Sequence, residues 1–255
     1  MSKTWSIYKR ELRVYFSSPI AYTVIGIFLV IAGYFFYSSL AYYVLISYQA
    51  MRNPFVEGLN LMDMVLTPLF GNVSVVMMLM LPLLTMRLLA EEKKSGTYEL
   101  LFTYPVRDIE VLLGKYLAAL TVFSLMIGLT GLYQFILWAL GVSEPGATLA
   151  GYLGLFLMGA AFLALGLFIS SLTENQIVAA TVSFGGLLLF WVAGWSAATV
   201  NPPYNQVFEY LALIKHLANF AKGVVDTADV AYYLCFTFLF LFLTRRSLES
   251  KRWRG

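Results

Sequence analysis

Residues 149–200 read LAGYLGLFLMGAAFLALGLFISSL-TENQ-IVAATVSFGGLLLFWVAGWSAATV. Two apolar runs, Leu149–Leu172 and Ile177–Val200, are separated only by Thr173-Glu174-Asn175-Gln176. Each run exceeds the ~20 apolar residues that a helix needs to cross a bilayer. Neither contains an acidic or basic residue. The stretch therefore predicts two spanning helices joined by a tight hairpin.

Four more runs approach or exceed that length: Ile20–Ile46, Leu69–Met86, Leu112–Leu140 and Val230–Thr244. The last is short, so its helix is expected to begin near Thr227. None holds Asp, Glu or Arg in its interior, and Lys115 falls near one proposed end. The chain is 60% hydrophobic and only 12% charged, about half the charge of a soluble domain. It cannot cover a globule with polar surface, whereas lipid solvates apolar side chains. The expected fold is all-α and integral to the membrane, with six transmembrane helices. Three parts are expected: an amphipathic segment 1–19, a transmembrane domain 20–244 and a basic cytoplasmic tail 245–255. The run Ile20–Ile46 is far longer than the apolar core of a signal peptide, so it is expected to stay in the protein.

Lysine and arginine set the orientation. Fourteen of the 17 fall in the amino-terminal segment, in the connection after the second run, or in the carboxy-terminal tail. Only Arg52, Lys215 and Lys222 belong to the other side. Basic loops stay in the cytoplasm, so both termini are expected there, which also requires an even number of spans.

Three connections carry further information. In the segment 4–16, Trp5, Tyr8, Leu12, Tyr15 and Phe16 follow helical spacing, while Lys9, Arg10 and Arg13 lie off that face. Aromatics on one side and bases on the other describe a helix lying in the membrane interface; the plainer alternative is a basic flank that happens to be helical. The cytoplasmic connection contains Glu91-Glu92-Lys93-Lys94-Ser95-Gly96-Thr97-Tyr98-Glu99-Leu100-Leu101-Phe102-Thr103-Tyr104-Pro105. Ser95-Gly96 can turn the chain, Thr97 can cap a short helix, Glu99 suits its first turn, and Pro105 ends it. The element would expose Tyr98, Leu101 and Phe102 as a handle for another protein, or be an ordinary solvated loop. On the opposite side, Tyr210, Leu211, Ile214, Leu217, Ala218 and Ala221 predict a helix or helix pair, which Gly223 is placed to end. Asp226 is expected to cap the last helix, with Asp229 reaching back as its capping-box partner.

Enzyme chemistry finds little support. The single histidine, His216, sits among apolar residues, and the single cysteine, Cys235, lies in an apolar run. No metal-ligand cluster or hydrolase motif is present. Gly114-Lys115 lacks the rest of a phosphate-binding loop. The spans lack the ionisable residues that carry protons or ions in coupled transporters, which points to an energy source outside the chain. Small residues recur at Ala160 and Ala164, at Gly166 and Ser170, and at Gly151, Gly154 and Gly159, a spacing that allows helices to pack closely. Pro82 is expected to kink the second span.

These features together resemble the membrane subunits of ABC exporters of the second type. The stretch Glu91–Leu101 with Pro105 following is similar to that family's coupling loop. Residues His216–Asp226, followed by Tyr232-Tyr233-Leu234, are similar to the branch named for bacterial gliding motility. The resemblance covers nearly the whole chain. It implies a dimeric permease in the bacterial cytoplasmic membrane with no cofactor of its own, ATP and magnesium being bound by separate cytoplasmic ABC ATPase subunits. The second membrane subunit would be another copy or a related permease, with an extracytoplasmic accessory protein as a further partner, membrane lipid around it, and no role for nucleic acid. Glu91, Glu92, Gly96, Thr97, Tyr98, Glu99, Leu100, Leu101, Phe102 and Pro105 would transmit force, flanked by Trp5, Tyr8, Arg10, Leu12 and Arg13 of the interface helix. The 205–223 helix would line the outer mouth. A secondary transporter and a membrane scaffold remain as alternatives, separated by whether the chain needs an ATPase partner.

Overall fold

The computed structural model describes residues 3–52, 60, 62–96, 107–139, 145–196 and 204–252. All regular elements among them are helical: α1 (Lys3–Ser17), α2 (Pro19–Arg52), a π-helical turn (Met62–Leu66), α3 (Thr67–Thr85), α4 (Arg87–Lys94), α5 (Asp108–Ala139), α6 (Pro145–Leu172), α7 (Gln176–Ser196), α8 (Tyr204–Leu211), α9 (Leu213–Ala221) and α10 (Thr227–Arg252). Among the described residues, six continuous helical stretches are long and apolar enough to span a bilayer. They match the six runs read from the sequence, and the chain is a multi-pass membrane protein. Several helices outrun their apolar segments. α2 has 34 residues, about 51 Å at 1.5 Å per residue, against a hydrocarbon core of ~30 Å.

The hairpin between α6 and α7 is tight, as its sequence requires. Asn175 caps α7, its Oδ1 accepting from the amides of Ile177 and Val178 at 2.9 and 3.4 Å. The carboxylate-free α6 is the hub of the bundle. Of its apolar window 72% is buried, against 33, 28 and 22% for α2, α7 and α10. The small residues explain this. A Cβ added to Gly151 would lie 2.1 Å from the Phe70 ring of α3. The same test puts Gly154 2.5 Å from Phe220 of α9, Gly159 1.9 Å from Phe123 of α5, and Gly166 2.2 Å from Thr85 Oγ1 of α3. Each glycine is thus a socket for a neighbour's side chain, and close packing of this kind drives helix association in lipid.

The second span is more elaborate than its apolar run. The π-helical turn precedes it, Pro82 lies inside α3, and the helix breaks one turn later at Met86 before continuing as α4. Ser170 of α6 holds that junction: its Oγ accepts from the Leu89 and Ala90 amides at 3.2 and 3.1 Å and donates to the Met86 carbonyl at 3.1 Å. The connection expected from residue 87 onward therefore begins as a packed helix, with Leu88, Leu89 and Ala90 buried.

At the opposite end, the expected helix pair forms. Ala212, in extended conformation, divides α8 from α9. Gly223 adopts φ +83°, and the Gly223 and Val224 amides bond to the Phe220 and Asn219 carbonyls, both at 2.9 Å. That is a Schellman ending, which needs the left-handed residue that glycine supplies without strain. Asp226 caps α10 through the Ala228 amide at 2.9 Å. The capping-box role expected for Asp229 is corrected: its carboxylate turns to α9, where His216 and Asn219 occupy both oxygens.

Candidate functional site

The α1 helix packs along α5, and its inward face differs from the expected one. Tyr8, Leu12 and Tyr15 point inward, as the aromatic spacing suggested, but Ile7 and Glu11 share that face. Trp5 and Phe16 lie at its edges, 46% and 37% exposed. Gly114 of α5 allows the contact, since an added Cβ would meet Ile7 Cγ2 at 2.7 Å. Tyr8 shares a 3.1 Å hydrogen bond with Thr121, and Tyr15 donates to the Leu84 carbonyl of α3 at 2.8 Å. Burial raises the Tyr15 phenol far above its ordinary value, which keeps that donor protonated. Trp5 stacks on Tyr8, and Lys9 lies over the Trp5 ring at 5.4 Å. Arg13 is exposed.

Four charged side chains from three helices meet behind this face. Lys115 Nζ of α5 lies 3.1 Å from Glu11 Oε1 of α1 and 2.9 Å from Glu92 Oε1 of α4. Arg10 Nη2 contacts the same two oxygens at 2.7 and 2.6 Å. Two bases and two acids thus alternate around a formally neutral square. Lys115 is only 1% exposed and Glu11 8%, while Arg10 reaches solvent at 49%. A buried ammonium loses its hydration and persists only with good partners; here it has two. Burial alone would raise the Glu11 carboxyl, but the attraction of Lys115 and Arg10 outweighs it and holds the group below the ordinary carboxylate range.

A cavity of about 280 Å³ opens beside the square, lined by Val14, Tyr15, Arg87, Leu88, Glu91 and Ser95 among others. Arg87 closes one side, bonding Glu91 at 2.9 Å and Ser18, at the α1–α2 junction, at 2.8 Å. Lys93 donates to the Ser171 carbonyl of α6. The α4 helix ends where the sequence places a turn: Ser95 is its C-cap, and Gly96 follows with φ +70°. Residues 97–106, including Thr97, Tyr98, Glu99, Leu100, Leu101, Phe102 and Pro105 of the expected coupling element, lie outside the described residues. The chain re-enters at Arg107, whose amide is capped by Glu110 Oε2 at 2.9 Å.

Residues 97–106 connect two described stems, the end of α4 and the start of α5. The charged square joins both stems to α1. Of the residues singled out in the sequence, Arg10, Glu92 and Gly96 fall in this assembly, with Glu91 beside it on Arg87. Lys115 was noted only as a base near the end of a span, and Glu11 was not singled out; a lysine two turns inside an apolar helix, which must find a carboxylate, is the signal that could have found the pair. Among the described residues, no three metal-ligating side chains converge.

One family model, described as ABC-2 family transporter protein, matches residues 46–244. The match includes Glu92 and Lys115 and begins after Arg10 and Glu11. No curated protein matches the chain. With six spanning helices and a match over more than three quarters of its length, the chain belongs to the ABC-2 transporter family and is a membrane permease component of an ABC transporter.

Proposed function

We propose that this permease works in an exporter as a dimer, driven through residues 91–104 by separate cytoplasmic ATPase subunits that bind ATP and magnesium. The observation that carries the reading is the charged square. It links both stems of the 97–106 loop to the amino-terminal helix, so one push reaches three elements at once. Such a joint suits transmission of an external stroke, because Glu92 and Lys115 are tied to each other and to α1 across three helices. The excess of lysine and arginine on the α1 and α4 side supports a cytoplasmic location for this end, for both termini and for the loop, in a bacterial inner membrane.

Exposed stripes on α2, α3 and α7 support association with a second permease copy. They include Tyr34 and Tyr37 on α2, Leu79 on α3 and Leu189 on α7, on helices that neighbour one another through α3. The 216–226 segment favours the gliding-motility branch, and an extracytoplasmic accessory protein would meet the α8–α9 end. The test is replacement of Glu99 and Leu101 by Ala, with ATPase association and substrate-stimulated hydrolysis measured on the purified complex. Loss of either supports the coupling role. Wild-type values for both would refute it.

A further inference from the structure

The face that α1 turns away from the bundle has a pattern of its own. Glu11, the acid within α1, is buried in the charged square, and Arg10 is engaged there too. That leaves Lys9 and Arg13 on the outer face, both exposed. Four residues apart, they stand on one ridge, about 6 Å from each other along the axis at 1.5 Å per residue. Among the described residues, neither base pairs with a carboxylate. The acids of α4 are occupied elsewhere, Glu91 by Arg87 and Glu92 by Arg10 and Lys115.

Aromatic rings bracket this ridge. Trp5 lies one turn before Lys9, and Phe16 about one turn after Arg13; they are 46% and 37% exposed. Lys9 Nζ sits 5.4 Å from the Trp5 ring. Phe16 meets Tyr22, 57% exposed in the first turn of α2, with ring centroids 6.1 Å apart. The first span begins at Pro19, two residues after α1 ends, so these rings stand where the chain enters the bilayer. Tryptophan and tyrosine collect at that level because their rings are apolar with a polar edge. In water the rings would stay uncovered. In the headgroup layer they meet acyl chains while the bases meet phosphate. A zwitterionic headgroup brings its own cation to its phosphate, so two unpaired bases favour a headgroup with net negative charge.

We propose that the outer ridge of α1 is a binding site for anionic phospholipid. Lys9 and Arg13 take the headgroup phosphate, and Trp5 and Phe16 rest on the acyl chains beneath it. The inference rests on the membrane fold and not on the exporter reading, and its test uses neither ATPase nor substrate.

The chain has five tryptophans. In a background of Trp138→Phe, Trp191→Phe, Trp195→Phe and Trp253→Phe, Trp5 is the remaining fluorophore of the full-length protein. It is reconstituted in phosphatidylcholine vesicles, and quenching is compared for phosphatidylglycerol and phosphatidylcholine that carry brominated acyl chains. Brominated phosphatidylglycerol should quench Trp5 at the lower mole fraction. Lys9→Gln and Arg13→Gln should each reduce that preference about fivefold, the equivalent of about 1 kcal/mol for one base at an anionic surface. Lys9→Arg with Arg13→Lys should keep it, as should Lys222→Gln at the other end of the bundle. Absence of quenching by either lipid would show that the ridge stands clear of the bilayer and overturn the proposal. So would equal quenching by both lipids, a preference unchanged in the Lys9→Gln, Arg13→Gln double variant, or one lost equally in Lys222→Gln. Displacement of the brominated phosphatidylglycerol by inorganic phosphate at matched ionic strength would mark a plain anion site and overturn the lipid assignment.

Discussion

Replacing Lys115 with Met removes the buried ammonium while keeping a side chain of similar length. The two carboxylate oxygens it bridged are each bonded to the same Arg10 nitrogen, at 2.7 and 2.6 Å. They therefore lie no more than about 5.3 Å apart, where their repulsion at an effective dielectric near 20 is about 3 kcal/mol. The square changes from neutral to one net negative charge, with only the half-exposed Arg10 to balance it. That figure agrees with the roughly 3–5 kcal/mol typical of breaking a buried ion pair on one side. In the triple variant Glu11→Gln, Glu92→Gln, Lys115→Met no buried charge is left unpaired, and Arg10 can turn to water. Most of the lost stability should return, because neutral groups replace buried ion pairs at little cost. Thermal unfolding of the purified protein in nanodiscs reads both effects. Lys115→Met should lower the melting temperature by roughly 6 °C or more, and the triple variant should recover most of that. If the joint also transmits force, the triple variant will be stable yet uncoupled, with ATPase subunits bound but not stimulated by substrate. A Lys115→Met protein as stable as wild type, or a triple variant as unstable as the single, would refute the electrostatic account.

Gly159→Leu should destabilise the bundle by about 1–3 kcal/mol or prevent its assembly, since a Cβ alone would overlap the fully buried Phe123 ring; Gly26→Leu, with open space around it, is the control in the same melting assay. Ser170→Ala leaves the Leu89 and Ala90 amides and the Met86 carbonyl without their shared hydroxyl, an expected loss of roughly 1–3 kcal/mol that hydrogen exchange should register as faster opening of α4. For Glu11 the folded carboxyl titrates below its unfolded counterpart, so the unfolded chain binds more protons in between. Its stabilising contribution is full above the ordinary carboxylate range and is lost as pH falls through the folded value. Melting curves between pH 7 and 3 should therefore show a steeper acid loss in wild type than in Glu11→Gln.

The sequence was most legible where chemistry acts locally or through solvent. Long uncharged runs have no low-energy home except a membrane-spanning helix, so the spans were readable from Leu149–Val200 outward. Turns were readable too: Asn175, Gly96, Gly223 and Asp226 each act on amides or carbonyls within a few residues. The glycines of α6 announced close packing, but not which ring fills each one, because that depends on helix rotation and register. The same limit left the reading of α1 incomplete. Its aromatic spacing was visible, yet burial turned Ile7 and Glu11 inward as well, since Gly114 and Lys115, 103 or more residues away, lay opposite.

The two polar centres belong to the tertiary structure for the same reason. Lys115 could be seen as an isolated base near the end of an apolar run, but its carboxylate partners lie on α1 and α4, far off in sequence. Asp229 sits where a capping-box residue belongs, and local rules assign it to its own helix. Folding brings His216 and Asn219 to it instead, and two polar side chains outcompete a backbone amide. Spacing along one chain determines what a helix can present; only the packing of helices determines which charges must meet once water is gone.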